Sequence, residues 1–124
     1  MEQITKIFNK IEVQTNILYI IATPIGNLGD ISIRALKVLS MLDIILCEDT
    51  RVTKKLLNSF NIKSKKLIIY NDQSTEKQRK LIIDKIKYSN LKFGLVSDAG
   101  TPLISDPGYK LIQACIKDKI NITH

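Results

Sequence analysis

The first 16 residues show no clean hydrophobic period, and they read as a leader holding at most one helical turn. From residue 17 the pattern sharpens. Ile17 to Ala22 is an unbroken apolar run rich in β-branched side chains, closed by Thr23-Pro24, where the proline lacks the N–H that a strand ladder needs. Ser32 then stands as an N-cap before Ala35, Val38, Leu39 and Leu42, apolar residues at helical spacing. Ile44 to Cys47 is a second short strand, and a helix is expected from about Val52 to Phe60. A third strand is placed near Leu67 to Tyr70. Ser74 or Thr75 caps a helix running through Tyr88, with Leu81, Ile82, Lys85 and Ile86 at helical spacing. Phe93 to Ser97 is a fourth strand, Asp98 to Gly108 a long loop, Tyr109 to Lys117 a helix, and Ile120 to Thr123 the start of a fifth strand.

This is a βαβαβαβαβ alternation. The strands are continuous apolar runs rather than alternating ones, which is what strands covered on both faces look like. The expected fold is therefore α/β, a parallel β-sheet with flanking helices and right-handed crossovers. It divides into a leader (1–16) and one α/β domain (17–124), without internal repeats.

Composition narrows the function classes. Of 124 residues, 44% are hydrophobic and 25% charged, the balance of a chain that folds around a core. No apolar run approaches the ~20 residues of a membrane span, so no membrane partner is expected. The opening MEQITKIFNK carries Glu2 and lacks the apolar centre of a signal peptide, and a cytoplasmic location is expected. Cys47 and Cys115 lie far apart in apolar stretches and read as buried thiols in a reducing compartment. The single histidine is His124, so neither a histidine-based metal site nor a Ser-His-Asp triad is expected. The net charge is +7, with much of the excess between Lys54 and Lys87. A polyanion such as RNA would be attracted to it. A merely solvated, lysine-rich surface fits the same numbers, and charge does not decide between them.

Three loops at the carboxyl ends of strands carry the candidate chemistry, because ligands of open parallel sheets bind there. The first, Thr23 to Asp30, holds Gly26 and Gly29 and leads into a helix N-terminus; its spacing is not the GxGxxG of a dinucleotide site. The second is Glu48-Asp49-Thr50-Arg51, either a helix cap or a pair of working carboxylates beside a guanidinium. The third, Ser97 to Gly108, is stiffened by two prolines and loosened by two glycines, and it is longer than a plain connection needs.

Together these stretches resemble one family. Leu18-Tyr19-Ile20-Ile21-Ala22-Thr23-Pro24-Ile25-Gly26-Asn27-Leu28-Gly29-Asp30-Ile31, then Cys47-Glu48-Asp49-Thr50-Arg51, then Leu95 through Ser97-Asp98-Ala99-Gly100-Thr101-Pro102-Leu103-Ile104-Ser105-Asp106-Pro107-Gly108-Tyr109 are similar to the tetrapyrrole methylase superfamily of S-adenosylmethionine enzymes. Within it they resemble the branch that methylates a cytidine 2′-hydroxyl of 16S rRNA in the small ribosomal subunit. The resemblance implies the first domain of a two-domain, cytoplasmic class III methyltransferase that is usually a homodimer, with its cofactor between the domains. It implies that the first and third loops converge on S-adenosylmethionine through Pro24, Gly26, Asp98, Ala99, Gly100, Thr101, Pro102 and Ile104. For the chemistry, Glu48 and Asp49 are candidate proton acceptors and Arg51 a phosphate contact, with no metal. Two departures stand out. Tyr70-Asn71-Asp72-Gln73-Ser74 lacks the histidine usual after the third strand, and the second domain is expected to be absent, leaving the fragment inactive. A non-catalytic folded fragment and a nucleotide-binding module remain as rival readings.

Overall fold

The structure is a computed structural model describing residues 2–24, 28–63, 65–97 and 105–124. Strands β1 (Ile17–Ala22), β2 (Ile44–Cys47), β3 (Lys66–Ile69), β4 (Phe93–Ser97) and β5 (Asn121–Thr123) form one sheet in the order β3-β2-β4-β1-β5. All four pairings are parallel. Helices α1 (Glu2–Lys10), α2 (Ile33–Met41), α3 (Thr50–Ser59), α4 (Glu76–Tyr88) and α5 (Asp106–Lys117) surround it.

The period of two along each strand sorts the core into two layers. Leu18, Ile20, Ile44, Leu46, Phe93 and Leu95 face one side and pack with Ile82, Ile83 and Ile86 of α4 and Leu111 and Cys115 of α5. Tyr19, Ile21, Ile45 and Val96 face the other and pack with Val38 and Leu39 of α2, Leu42 just beyond it, and Leu56 and Leu57 of α3. Both faces of the sheet are covered, as its continuous apolar strands require. Cys47 and Cys115 are buried, and burial pushes the Cys115 thiol up to about 12.

Four local differences from the sequence expectation have physical causes. Residues 2–10 form more than two helical turns, not one. Ile4, Phe8 and Ile11 stand at i, i+4 and i+7, a helical spacing, and α1 lies on α2 with the Lys37 ammonium 4.4 Å from the Phe8 ring centroid. Val13 is buried, and the Gln14 N–H donates to the Tyr19 hydroxyl at 2.8 Å. In α4 the inward residues are Ile82, Ile83 and Ile86, whereas Leu81 is 54% exposed and Lys85 points to solvent. Thr75, not Ser74, caps that helix through a reciprocal pair with Gln78 (3.1 and 2.8 Å). Helix α5 begins at Asp106, three residues before Tyr109, because Ser105 caps it and Pro107 sits in the first turn, where a missing N–H leaves nothing unsatisfied. Strands β3 and β5 are each shifted by one residue. Ile120 belongs to the turn that closes α5, its N–H bonding the Cys115 carbonyl at 2.9 Å while Lys119 takes a left-handed φ of 61°.

Candidate functional site at the carboxyl edge of the sheet

The connections leaving β1 and β2 pass to the face of α2 and α3, and those leaving β3 and β4 pass to the face of α4 and α5. Strand β4 lies between β2 and β1, so its carboxyl end is flanked on both sides by chain leaving for the opposite face. Such a reversal opens a crevice above the strand ends, where open α/β sheets hold ligands.

Register sets the strand ends from which the three candidate loops leave side by side. Ala22 pairs with Ser97, so the first and third loops leave adjacent strand ends. Thr23, the first residue of its loop, is buried and latched to Ser97. Its N–H and its hydroxyl both donate to the Ser97 carbonyl, at 2.9 and 3.0 Å. Pro24 follows, half-buried at the loop entrance. On the other side of β4, Leu46 pairs with Leu95, which sets Glu48 to Arg51 at the same edge. Gly26, Asp98, Ala99, Gly100, Thr101, Pro102 and Ile104 lie outside the described residues.

The second loop has well-defined chemistry. Glu48 is exposed. Asp49 is the N-cap of α3, its Oδ1 accepting from the Arg51 N–H at 2.9 Å. The Arg51 guanidinium turns back on the same carboxylate, Nε donating to Oδ1 at 3.3 Å and an Nη to Oδ2 at 3.2 Å. These bonds hold the Asp49 carboxyl below its ordinary pKa and raise that of Arg51. A carboxylate so held caps and pairs well but is a weaker proton acceptor.

Two further residues organise this edge that the sequence did not single out. Tyr70, fully buried at the end of β3, donates its hydroxyl hydrogen to the Pro107 carbonyl in the first turn of α5. The same oxygen accepts from an Nη of Arg79 at 3.4 Å. Burial raises the Tyr70 phenol pKa, and the Arg79 hydrogen bond and charge oppose the rise. The strut ties the β3 end to the helix that begins where the third loop finishes. The segment lacking the usual histidine is a compact turn: Asn71 Oδ1 accepts from the Gln73 N–H and Ser74 Oγ from the Asn71 N–H, both at 2.9 Å. Nothing in a tyrosine after an apolar run distinguishes a strut from ordinary core; only the packing of α5 over β3's end does so.

Among the described residues no three His, Cys, Asp or Glu side chains group as metal ligands, and no helix is long and apolar enough to cross a membrane. The fold and its edge thus define an open α/β domain of the kind that binds a small ligand above the ends of parallel strands. Residues 17–123 match the Tetrapyrrole (Corrin/Porphyrin) Methylases, and the chain belongs to that family. It is 58% identical over 96 residues to the Ribosomal RNA small subunit methyltransferase I of Rickettsia prowazekii (strain Madrid E), covering 77% of this chain and 34% of that protein. The protein of the same name from Vibrio cholerae serotype O1 is 54% identical over 99 residues, covering 80% of this chain and 34% of its own length. The chain therefore spans about a third of the length of these relatives. A crystal structure of a conserved hypothetical protein from Aeropyrum pernix K1 shares the fold, with a TM-score of 0.64 at 13% identity over 91% of this chain and 38% of that one.

Proposed function

We propose that this chain is the cofactor-binding domain of an S-adenosylmethionine-dependent methyltransferase that modifies a cytidine 2′-hydroxyl of 16S rRNA in the small ribosomal subunit. The observation that supports the reading is the adjacency of the strand ends at Ala22, Cys47 and Ser97, from which the three loops leave, in a chain 58% identical over 96 residues to a protein named as a small-subunit rRNA methyltransferase. The chemistry of this edge suits such a cofactor. The exposed carboxylates of Glu48, Asp72 and Asp106 supply negative charge near a sulfonium, and the N-termini of α2, α3 and α5 favour a ligand carboxylate. Pro24, Gly26, Asp98, Ala99, Gly100, Thr101, Pro102 and Ile104 would hold the cofactor, which when bound supplies an activated methyl group.

The residues of the chain then have to orient the ribose and accept its proton. Alignment contributes most in an in-line displacement, and the Thr23–Ser97 latch and the Tyr70–Pro107 strut serve it by fixing the ends of the first and third loops. Of the two candidate acceptors, Glu48 suits proton transfer better than Asp49, whose carboxylate is taken up by the cap and by Arg51. Arg51 keeps outward N–H groups for a phosphate while it pairs with Asp49. A homodimer and a cytoplasmic setting belong to the same proposal.

The test is titration calorimetry of S-adenosylmethionine into the purified chain, followed by incubation with methyl-labelled cofactor and small subunits lacking the modification. The expected result is weak cofactor binding, abolished by Gly100→Trp, and no turnover until the remaining length found in the relatives is supplied. Tight binding of a phosphorylated nucleotide in preference to S-adenosylmethionine would assign the edge to a different ligand. Turnover by the chain alone would overturn the need for the remaining length, and its loss in Asp49→Asn, which keeps the α3 cap, would overturn the choice of Glu48 as proton acceptor.

A further inference from the structure

Charge is divided between the two edges of the sheet. The carboxyl edge carries Asp30, Glu48, Asp49, Asp72, Glu76 and Asp106 against Arg34, Arg51, Lys77 and Arg79, a small excess of acid. The amino edge carries Lys63, Lys65, Lys66, Lys85, Lys87, Lys92, Lys117 and Lys119 against Asp43 and Asp118, and Asp43 is engaged, Oδ2 accepting from the Lys92 N–H at 2.8 Å. Helix dipoles account for acids in first turns and for Lys85 and Lys87 in the last turn of α4. They do not account for Lys63, Lys65, Lys66 and Lys92, which lie outside helices.

The same edge holds a pocket of about 420 Å³ between α1, α2 and the turn before β3. Its wall is apolar and aromatic (Phe8, Leu36, Phe60, Ile62), and Lys63 and Lys65 stand at its rim. Lys65 is anchored, one N–H donating to the Ser40 carbonyl at 2.7 Å, whereas Lys63 is exposed. Lys37, over the Phe8 ring, adds a third positive charge nearby. Aromatic walls beside phosphate-range lysines are the components of a single-strand nucleic-acid site, in which a base stacks while the flanking phosphates pair with cations.

We propose that the amino edge is a second RNA contact of this domain, remote from the carboxyl edge, taking one unstacked base of a single-stranded segment into the pocket of Phe8 and Phe60 with its phosphates on Lys63 and Lys65. The inference rests on the rRNA reading for the identity of the polyanion. It explains where the excess of positive charge goes: not to the edge that meets the cofactor, but to the opposite one, so substrate is gripped on a surface that leaves the reacting edge unobstructed.

The experiment is fluorescence anisotropy of the full 124-residue chain with a labelled single-stranded oligoribonucleotide at several salt concentrations. Lys63→Glu is expected to weaken binding and to lower the salt slope by about one. Phe60→Ala is expected to weaken it about tenfold with the slope unchanged, as loss of a stacked base does. Phe60→Leu, which keeps an apolar side chain there, should show the same loss and covers the case in which the alanine variant melts. Lys77→Glu at the carboxyl edge should leave both affinity and slope as they were. Absence of RNA binding by the unmodified chain, equal effects of Lys77→Glu and Lys63→Glu, or competition by inorganic polyphosphate as effective per charge as RNA would each overturn the proposal. S-adenosylmethionine titration of the same proteins separates the two readings. Cofactor binding retained while the RNA arms fail removes only this inference, and no cofactor binding by the unmodified chain removes the methyltransferase reading instead.

Discussion

Gly94 lies in the middle of the central strand, paired with Tyr19 of β1 and Ile45 of β2, and a methyl group there has no room. A Cβ built on its backbone would stand 2.3 Å from Leu42 Cδ1, 3.1 Å from Ile21 Cδ1 and 3.4 Å from the Tyr19 carbonyl. Leu42 and Ile21 are themselves buried, 1% and 3% exposed. The Leu42 methyl must retreat by about 1 Å to regain an ordinary carbon–carbon contact of about 3.5 Å, and it has no solvent to retreat into. Overpacking of a filled core costs about 1–3 kcal/mol. Loss of glycine's freedom in the unfolded chain returns about 0.5–1 kcal/mol. Gly94→Ala should therefore destabilise by about 1–2 kcal/mol, which at a urea m-value of about 1.5 kcal/mol/M lowers the midpoint by about 1 M. Leu42→Ala alone should cost about 2–5 kcal/mol through the cavity it leaves. In the double variant the new methyl enters that cavity, so the pair should be less destabilised than the sum by about 1 kcal/mol or more. Urea unfolding of the four proteins, followed by circular dichroism, completes the cycle. A Gly94→Ala protein as stable as the parent, or strict additivity, would show that the β4–α2 contact is loose and that this reasoning fails.

Tyr70→Phe keeps the ring and removes one hydrogen bond to the Pro107 carbonyl; thermal unfolding should show a loss of about 1 kcal/mol, and hydrogen exchange should show the first turn of α5 opening more readily than α3. Asp49→Ala should destabilise the chain at neutral pH by removing the α3 cap, while Asp49→Asn should keep most of it. Because the folded carboxyl titrates below its ordinary 3.8, its contribution is fully present above that value and lost as pH falls through the folded value. Acid titrations of stability should therefore be flatter below pH 3.8 in Asp49→Asn than in the parent. Lys119→Gly relieves a left-handed residue at the C-terminus of α5 and should stabilise by about 1 kcal/mol in urea melts; no gain would mean that the Lys119 side chain makes a compensating contact.

The class of fold was legible because it depends on local pattern. Unbroken apolar runs such as Ile44 to Cys47, separated by amphipathic stretches, have few solutions other than a parallel sheet with helices on both faces. A helix end is legible where the signal is a single side chain within reach of its own backbone, as with Ser32, whereas α3 starts at Thr50 rather than Val52 because Asp49, left open between cap and catalyst by the sequence, is its cap. The start of α5 was misplaced because Pro107 and Gly108 suggest a loop, although both are tolerated in a capped first turn. The helix in residues 2–10 was missed although Ile4, Phe8 and Ile11 are spaced for one; its place on α2 follows from packing against the Phe8 side, which short-range pattern does not show. The inward face of α4 differed for a related reason. Leu81 and Ile83 are both compatible with a stripe through Ile82 and Ile86, and only the angle at which the helix meets the sheet selects Ile83. The candidate loops could be named from the chain, but residue pattern alone does not make the strand ends they leave neighbours. The strand order β2-β4-β1 brings residues 23, 48 and 97 to one edge, and that order is set by long-range burial and crossover handedness rather than by any neighbouring residue. The division of charge is of the same kind. Counting charges yields a net +7, yet only the antiparallel run of helices against strands gives the carboxyl edge its small excess of acid and the amino edge most of the lysines.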